Sequence, residues 1–165
     1  MVLIGRRLSA EEFRLLLADP ATADTLLYGD LDDDEAEMPE PELDLEKSWH
    51  GVHYLLTGTA WATDDGAGAA ILGGDEVGED GGYGPARILG PERVRAVAAS
   101  LDALNVETLR ARFDPDAMAV ADIYPLGWAD IADDFDRCLA PYFIQLRDFY
   151  RSAASNGQAV LLAIA

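Results

Sequence analysis

The two ends of the chain constrain its fold most. Residues 158–163 (Gln-Ala-Val-Leu-Leu-Ala) are apolar enough for a strand buried on both faces, and residues 2–5 (Val-Leu-Ile-Gly) form a second short apolar run at the opposite end. A strand covered on both sides needs a layer above and a layer below it. Pairing it with the N-terminal run would make the sheet non-local. Helical patterns fill most of the chain between, so the expected class is mixed α and β. The expectation is one compact domain over 1–165, with a small central sheet of few strands and five or six helices around it. At 165 residues, half of them hydrophobic, the chain is long enough for a core of its own.

Local signals place the elements. Ser9-Ala10-Glu11-Glu12 has the form of a capping box and predicts a helix through Ala18, and Asp19-Pro20 starts another that stops at Gly29. Residues 44–56 read as a helix in which Leu45, Trp49, Val52 and Leu56 share a stripe, which makes Trp49 a core residue. Residues 62–84 are rich in glycine and acid, interrupted by Ala69-Ala70-Ile71-Leu72, and form the longest irregular region. A strand is expected over 86–89, and Gly90-Pro91, Asn105 and Asp114-Pro115 each open a helix. Residues 121–124 before Pro125 look extended. A long helix is expected within 133–154, with Pro141 marking either its start or a kink, and Asn156-Gly157 ends it.

Charge narrows the partners. There are 31 Asp and Glu against 12 Lys and Arg, a formal net charge of −19. Such a chain repels phosphate backbones and anionic membranes, so neither nucleic acid nor a membrane is an expected partner. The acid is concentrated over residues 30–42, which read as a solvated, mobile loop. Cys138 is the single cysteine and no apolar stretch approaches the roughly 18 residues of a membrane span, so the expected location is cytoplasmic. Eleven of the twelve basic residues are arginine, which with abundant alanine suggests a GC-rich bacterial genome.

A set of short motifs runs in a telling order. Residues 43–49 (Leu-Asp-Leu-Glu-Lys-Ser-Trp) are followed by His53 and Leu56-Thr57-Gly58-Thr59, then Leu72-Gly73-Gly74, Glu79-Asp80-Gly81 with Tyr83-Gly84, Ile123-Tyr124-Pro125, and Phe149-Tyr150-Arg151 before Gly157 and the last apolar run. In this order and spacing, over nearly the whole chain, the sequence resembles the YfbM-like family of bacterial proteins of unknown function. The resemblance implies a compact α/β fold and a bacterial cytoplasmic protein, and it brings no activity, cofactor or catalytic residue.

The chemistry-bearing residues divide into small groups. On a helix, Glu46, His50 and His53 would fall at i, i+4 and i+7 and could face one metal ion, but no further histidine exists and both would have to stay out of the core. No metal or cofactor is therefore expected, and His53 is read as a half-buried histidine bonded to a carbonyl or to a carboxylate from residues 75–80. Thr57-Gly58-Thr59 could present hydroxyls beside His53, although such a turn commonly just ends a helix. The glycines of 66–84 lack the order of a phosphate loop or a dinucleotide fingerprint. Asp30, Asp32 and Asp34 open like a calcium loop, which Glu35 and Pro41 then break. Cys138 follows Asp133, Asp134 and Asp136, a field that disfavours a thiolate. Trp61, Trp128, Tyr83 and Tyr124 stand in or beside loops, where aromatic rings either line a site or pack beneath the loop.

Two functional expectations follow. The first is a non-enzymatic acidic binding protein for a basic protein partner, of inhibitor or immunity type, with Asp32, Asp33, Asp34, Glu35 and Glu37 as the partner surface. The second is a small-molecule or hydrolytic pocket formed by His53, Thr57, Thr59, Asp80, Tyr83 and Tyr124.

Overall fold

The computed structural model describes residues 1–30, 39–128 and 135–165. Five strands, β1 (Leu3–Leu8), β2 (Leu43–Glu46), β3 (Asp75–Val77), β4 (Ala86–Leu89) and β5 (Ala159–Ile164), form one sheet in the order β2-β1-β5-β4-β3. Every pairing is antiparallel. The last strand thus lies at the centre, and its first five residues are buried, as expected of a strand covered on both faces.

Alternation along the strands makes two cores. On one face Leu8, Ile88 and Leu161 pack with Leu16 of α1 (Ala10–Ala18) and Leu27 of α2 (Thr22–Tyr28). On the other, Leu3, Leu89, Val160 and Leu162 meet α3 (Trp49–Thr57), α4 (Ala69–Leu72), α5 (Pro91–Asp102) and α6 (Val106–Arg112). That larger core also takes in α7 (Pro115–Val120), α8 (Phe135–Cys138) and the long α9 (Ala140–Ser155).

Three capped helix starts follow the residues that predict them, whereas α2 begins at Thr22 and not at Asp19-Pro20. Ser9 Oγ accepts the Glu12 N–H at 3.2 Å while Glu12 accepts the Ser9 N–H at 2.8 Å, closing the capping box. Asn105 and Asp114 each accept a backbone N–H three residues on, from Thr108 and Ala117. Pro141 sits in the first turn of α9, where its missing N–H breaks no helical bond.

Four expectations are corrected. The helix expected over 44–56 begins only at Trp49, and Leu43–Glu46 is a strand, because Leu43 and Leu45 alternate with Asp44 and Glu46 at the two-residue period of a half-buried edge strand. β1 continues beyond Gly5 through two arginines, since Arg6 pairs with Glu12 at 2.6 Å and Arg7 with Glu42 at 3.0 Å while their backbones bond to β5. The region 62–84 contains α4 and β3. No strand forms over 121–124, where Asp122 turns the chain at φ 53°. The acidic segment 31–38, with Asp32, Asp33, Asp34, Glu35 and Glu37, lies outside the described residues, as do Asp133 and Asp134.

α3 is buried almost all round, and Gly51 lets it approach its neighbours. A Cβ there would stand 2.8 Å from both the Trp128 ring and Leu139. Trp128 itself is fixed by its indole N–H, donated to the Ile123 carbonyl at 2.9 Å. No helix among the described residues is long and apolar enough to cross a membrane.

Candidate functional site

Because residues 43–46 are a strand, Glu46, His50 and His53 share no helical face. Glu46 instead accepts the Tyr142 hydroxyl at 2.9 Å, and burial, reinforced by Glu46, pushes the Tyr142 phenol up to about 12. Among the described residues no cluster of three His, Cys, Asp or Glu side chains could hold a metal ion.

Both histidines are fully buried on α3, in contrasting surroundings. His50 Nδ1 accepts the Tyr124 backbone N–H at 3.0 Å, so that nitrogen carries no proton. The proton is therefore on Nε2, which donates to the Ala60 carbonyl at 2.8 Å. The ring stacks on Trp49 with centroids 4.7 Å apart and lies against Trp61 at 4.4 Å. Burial holds the imidazole below its ordinary pKa, against the pull of the Ala60 carbonyl. His50 thus ties the 58–62 loop to the loop before Pro125, and gives Trp61 a fixed base.

His53 has no such partners, as neither ring nitrogen makes a hydrogen bond of normal geometry. Burial, and then the neighbouring His50, push its pKa down to about 4, while the Ala62 backbone and the Asp64 carboxylate oppose the shift. The expected half-buried, bonded histidine is thus a fully buried one, and of the acidic residues it is Asp64 that acts on it.

The Thr57-Gly58-Thr59 turn ends α3. Gly58 takes the left-handed conformation, φ 73°, that favours glycine at a helix end. The Thr57 hydroxyl lies 2.9 Å from the His53 carbonyl and 3.0 Å from that of Thr59, and it also accepts the Thr59 N–H. Arg112 donates to the Leu55 carbonyl at 2.9 Å, satisfying one of the last acceptors of the helix. Thr57 and Arg112 line a shallow hollow that does not reach the His53 ring.

Two loops with one pattern follow, Asp-x-Gly-x-Gly at 64–68 and again at 80–84. Asp64 Oδ1 accepts the N–H groups of Gly66 and Gly68 at 2.7 and 3.0 Å. Asp80 Oδ1 accepts those of Gly82 and Gly84 at 2.7 and 2.9 Å. In each loop the aspartate closes a tight turn on itself.

Between Trp61 and Thr63, just before the first loop, and Tyr83 and Gly84 of the second lies a cleft of about 400 Å³. Its floor is the sheet face bearing Leu162 and Ile164, with Ile71 of α4 beside them, and its walls carry Trp61 and Tyr83. Trp61 is 62% exposed and Tyr83 56%. Arg87 and Glu76, opposite each other on β4 and β3, join at 2.9 Å along the floor.

The six residues expected to form one pocket are distributed. His53 is in the core, Thr57 and Thr59 bond each other across the turn, and Tyr83 stands on the cleft. Asp80 holds the loop carrying Tyr83. Tyr124 donates its N–H to His50, and its hydroxyl accepts from the Met1 ammonium at 3.4 Å. Sequence reasoning singled out Trp61 and Tyr83 as loop aromatics but missed Glu76, Arg87 and Asp64. For Asp64 the repeated Asp-x-Gly-x-Gly pattern was the available signal. For Glu76 and Arg87 there was none, since their meeting depends on the β3–β4 register.

The comparisons with known proteins accord with this architecture. A crystal structure of YfbM from Escherichia coli, a protein of unknown function, is similar over 100% of both chains with a TM-score of 0.73 at 21% identity, a likeness of fold. The comparison with curated proteins gives no match. A family model described as a domain of unknown function, DUF1877, matches residues 1–163, and the chain therefore belongs to the DUF1877 family.

Proposed function

We propose that the protein is an acidic binding protein whose surface engages a basic protein partner in the cytoplasm, in the manner of an inhibitor or immunity protein. One observation carries this reading, the surplus of carboxylates that the protein's own cations leave unmatched. Arg6, Arg7, Arg87, Arg110 and Arg151 each already close on a carboxylate at 3.0 Å or less. Exposed pairs of this kind add little stability, but they neutralise the cations locally, so the net charge of −19 falls on the remaining acidic groups. A field of that sign speeds association with a basic surface and opposes nucleic acid and anionic lipid.

The test is capture from the lysate of the protein's own cells at low ionic strength, eluting with salt. The expected result is a basic partner released as salt rises through about 0.15 M, where the Debye length is about 8 Å. Capture without any salt-sensitive partner overturns the reading.

A second reading, a small-molecule or hydrolytic pocket at His53 and the Thr57-Gly58-Thr59 turn, has one observation in its favour: buried His53 lacks a hydrogen-bond partner. It requires His53→Ala to abolish binding of a small ligand while leaving the thermal melt unchanged. A lowered melt with unchanged ligand binding marks the residue as structural.

A further inference from the structure

We propose that the cleft between Trp61 and Tyr83 receives an arginine or lysine side chain of the basic partner, with the cation against the aromatic rings and the aliphatic stem on the floor. This rests on the reading of the acidic surface and adds the place at which the partner is gripped.

Aromatic placement is the first support. Trp61 and Tyr83 line the same cleft and both are more than half exposed. Trp61 is not a loose surface ring, because it packs on His50, whose two ring nitrogens are fixed by Ala60 and Tyr124. Tyr83 is carried by a loop closed on Asp80. The Trp61 ring, held before the ligand arrives, costs little ordering on binding, and a cation over the face of Trp or Tyr is attracted by the ring quadrupole.

The floor is the second. Ile71, Leu162 and Ile164 offer aliphatic surface for the methylene stem of a long basic side chain, which buries its stem while its head stays polar.

Charge is the third, and it selects among ligands. Residues 61–86 contain six carboxylates (Asp64, Asp65, Asp75, Glu76, Glu79 and Asp80) and no lysine or arginine. Among the described residues the one guanidinium lining the cleft, that of Arg87, is already paired to Glu76, whose side chain is still 59% exposed. Of the six carboxylates, Glu76 lines the cleft, while Asp75 lies 3.7 Å from Arg93 and Asp64 and Asp80 accept amides of their own loops. An anionic ligand would meet a neutralised arginine beside the exposed Glu76 carboxylate, whereas a cation is favoured by the rings and by Glu76 together.

The experiment uses the full chain and a nonapeptide of alternating arginine and glycine, beside a counterpart with citrulline at each arginine, which keeps the shape and loses the charge. Trp49 and Trp128 are buried, so acrylamide quenching of tryptophan fluorescence reports Trp61. The expected result is saturable protection of Trp61 by the arginine peptide alone. Trp61→Ala and Tyr83→Ala, each shown by thermal melting to be folded, should bind about tenfold more weakly by calorimetry. Arg87→Leu, which frees Glu76, should bind as tightly or tighter. Salt-sensitive peptide binding that survives both aromatic substitutions overturns the cleft and leaves the acidic-surface reading standing. Equal binding of the citrulline peptide, or loss of binding in Arg87→Leu, overturns the choice of a cation. Failure of the arginine peptide to bind at low salt overturns the cleft, and lysate capture then decides the surface reading by itself.

Discussion

The loops 64–68 and 80–84 have the same pattern and the same pair of aspartate hydrogen bonds, yet they stand in different surroundings. The first is packed onto the end of α3, where a Cβ at Gly68 would come within 2.7 Å of Thr57. It also sets Asp64 near buried His53. At the second, a Cβ on Gly81, Gly82 or Gly84 would meet nothing within 4 Å. Identical local chemistry therefore makes a structural brace in one place and a free-standing arm in the other. The hydrogen bonds fix the turn, and the neighbours decide what the turn is for.

The largest loss should come from His50, which anchors the 58–62 segment that leads into the brace. His50→Ala leaves the Tyr124 N–H and the Ala60 carbonyl unpaired and removes the ring beneath Trp61. Denaturant unfolding should show about 3 kcal/mol of lost stability, with increased quenching of Trp61. An effect below about 1 kcal/mol would mean that the loop is not held from this side.

Acid should give the next effect. His53 titrates near 4 in the folded protein and near the usual imidazole value when unfolded, so between the two the unfolded chain binds more protons. Stability then falls as the pH drops through that window, by about 2 kcal/mol from neutral to about pH 5. Burial of His50 adds in the same direction. His53→Leu should flatten this part of the curve, and an unchanged slope would place the acid sensitivity elsewhere. Glu12 and Glu42 add little between neutral pH and about pH 5. Burial would raise both, but hydrogen bonds and the Arg6 and Arg7 charges hold them below the ordinary carboxylate value, so their loss comes at lower pH.

The two aspartates compare the loops directly. Asp64→Ala strands two amides, one of them part-buried, and should cost about 1.5 kcal/mol in a chemical melt. Asp80→Ala exposes amides that water can satisfy and should cost less than about 0.5 kcal/mol, while the mobility of Tyr83 on the nanosecond scale rises by fluorescence anisotropy. Equal costs would erase the distinction between brace and arm.

Much of the scaffold was legible because it is encoded locally. The Ser9 capping box, the Asn105 and Asp114 caps and the apolar run of β5 each announce themselves within a few residues. The misreading at 44–46 has a local cause too. Leu45 belongs at once to an alternating strand pattern with Leu43 and to a helical stripe with Trp49, Val52 and Leu56, and pairing with β1 decides between them. The site was less legible, because its contacts are distant in sequence. Tyr124 reaches His50 across 74 residues, and Glu76 meets Arg87 only through the register of two short strands.

The order of the strands bears on how such a chain is made. The ribbon β1–β2 and the ribbon β3–β4 share no hydrogen bonds, and only β5 joins them. A chain halted on the ribosome before Ala159 therefore lacks the one strand that joins the two ribbons and contributes to both cores. The late strand acts as a keystone: its pairing covers the inner edges of β1 and β4, so the five-stranded sheet cannot be completed before Ala159–Ile164 is available.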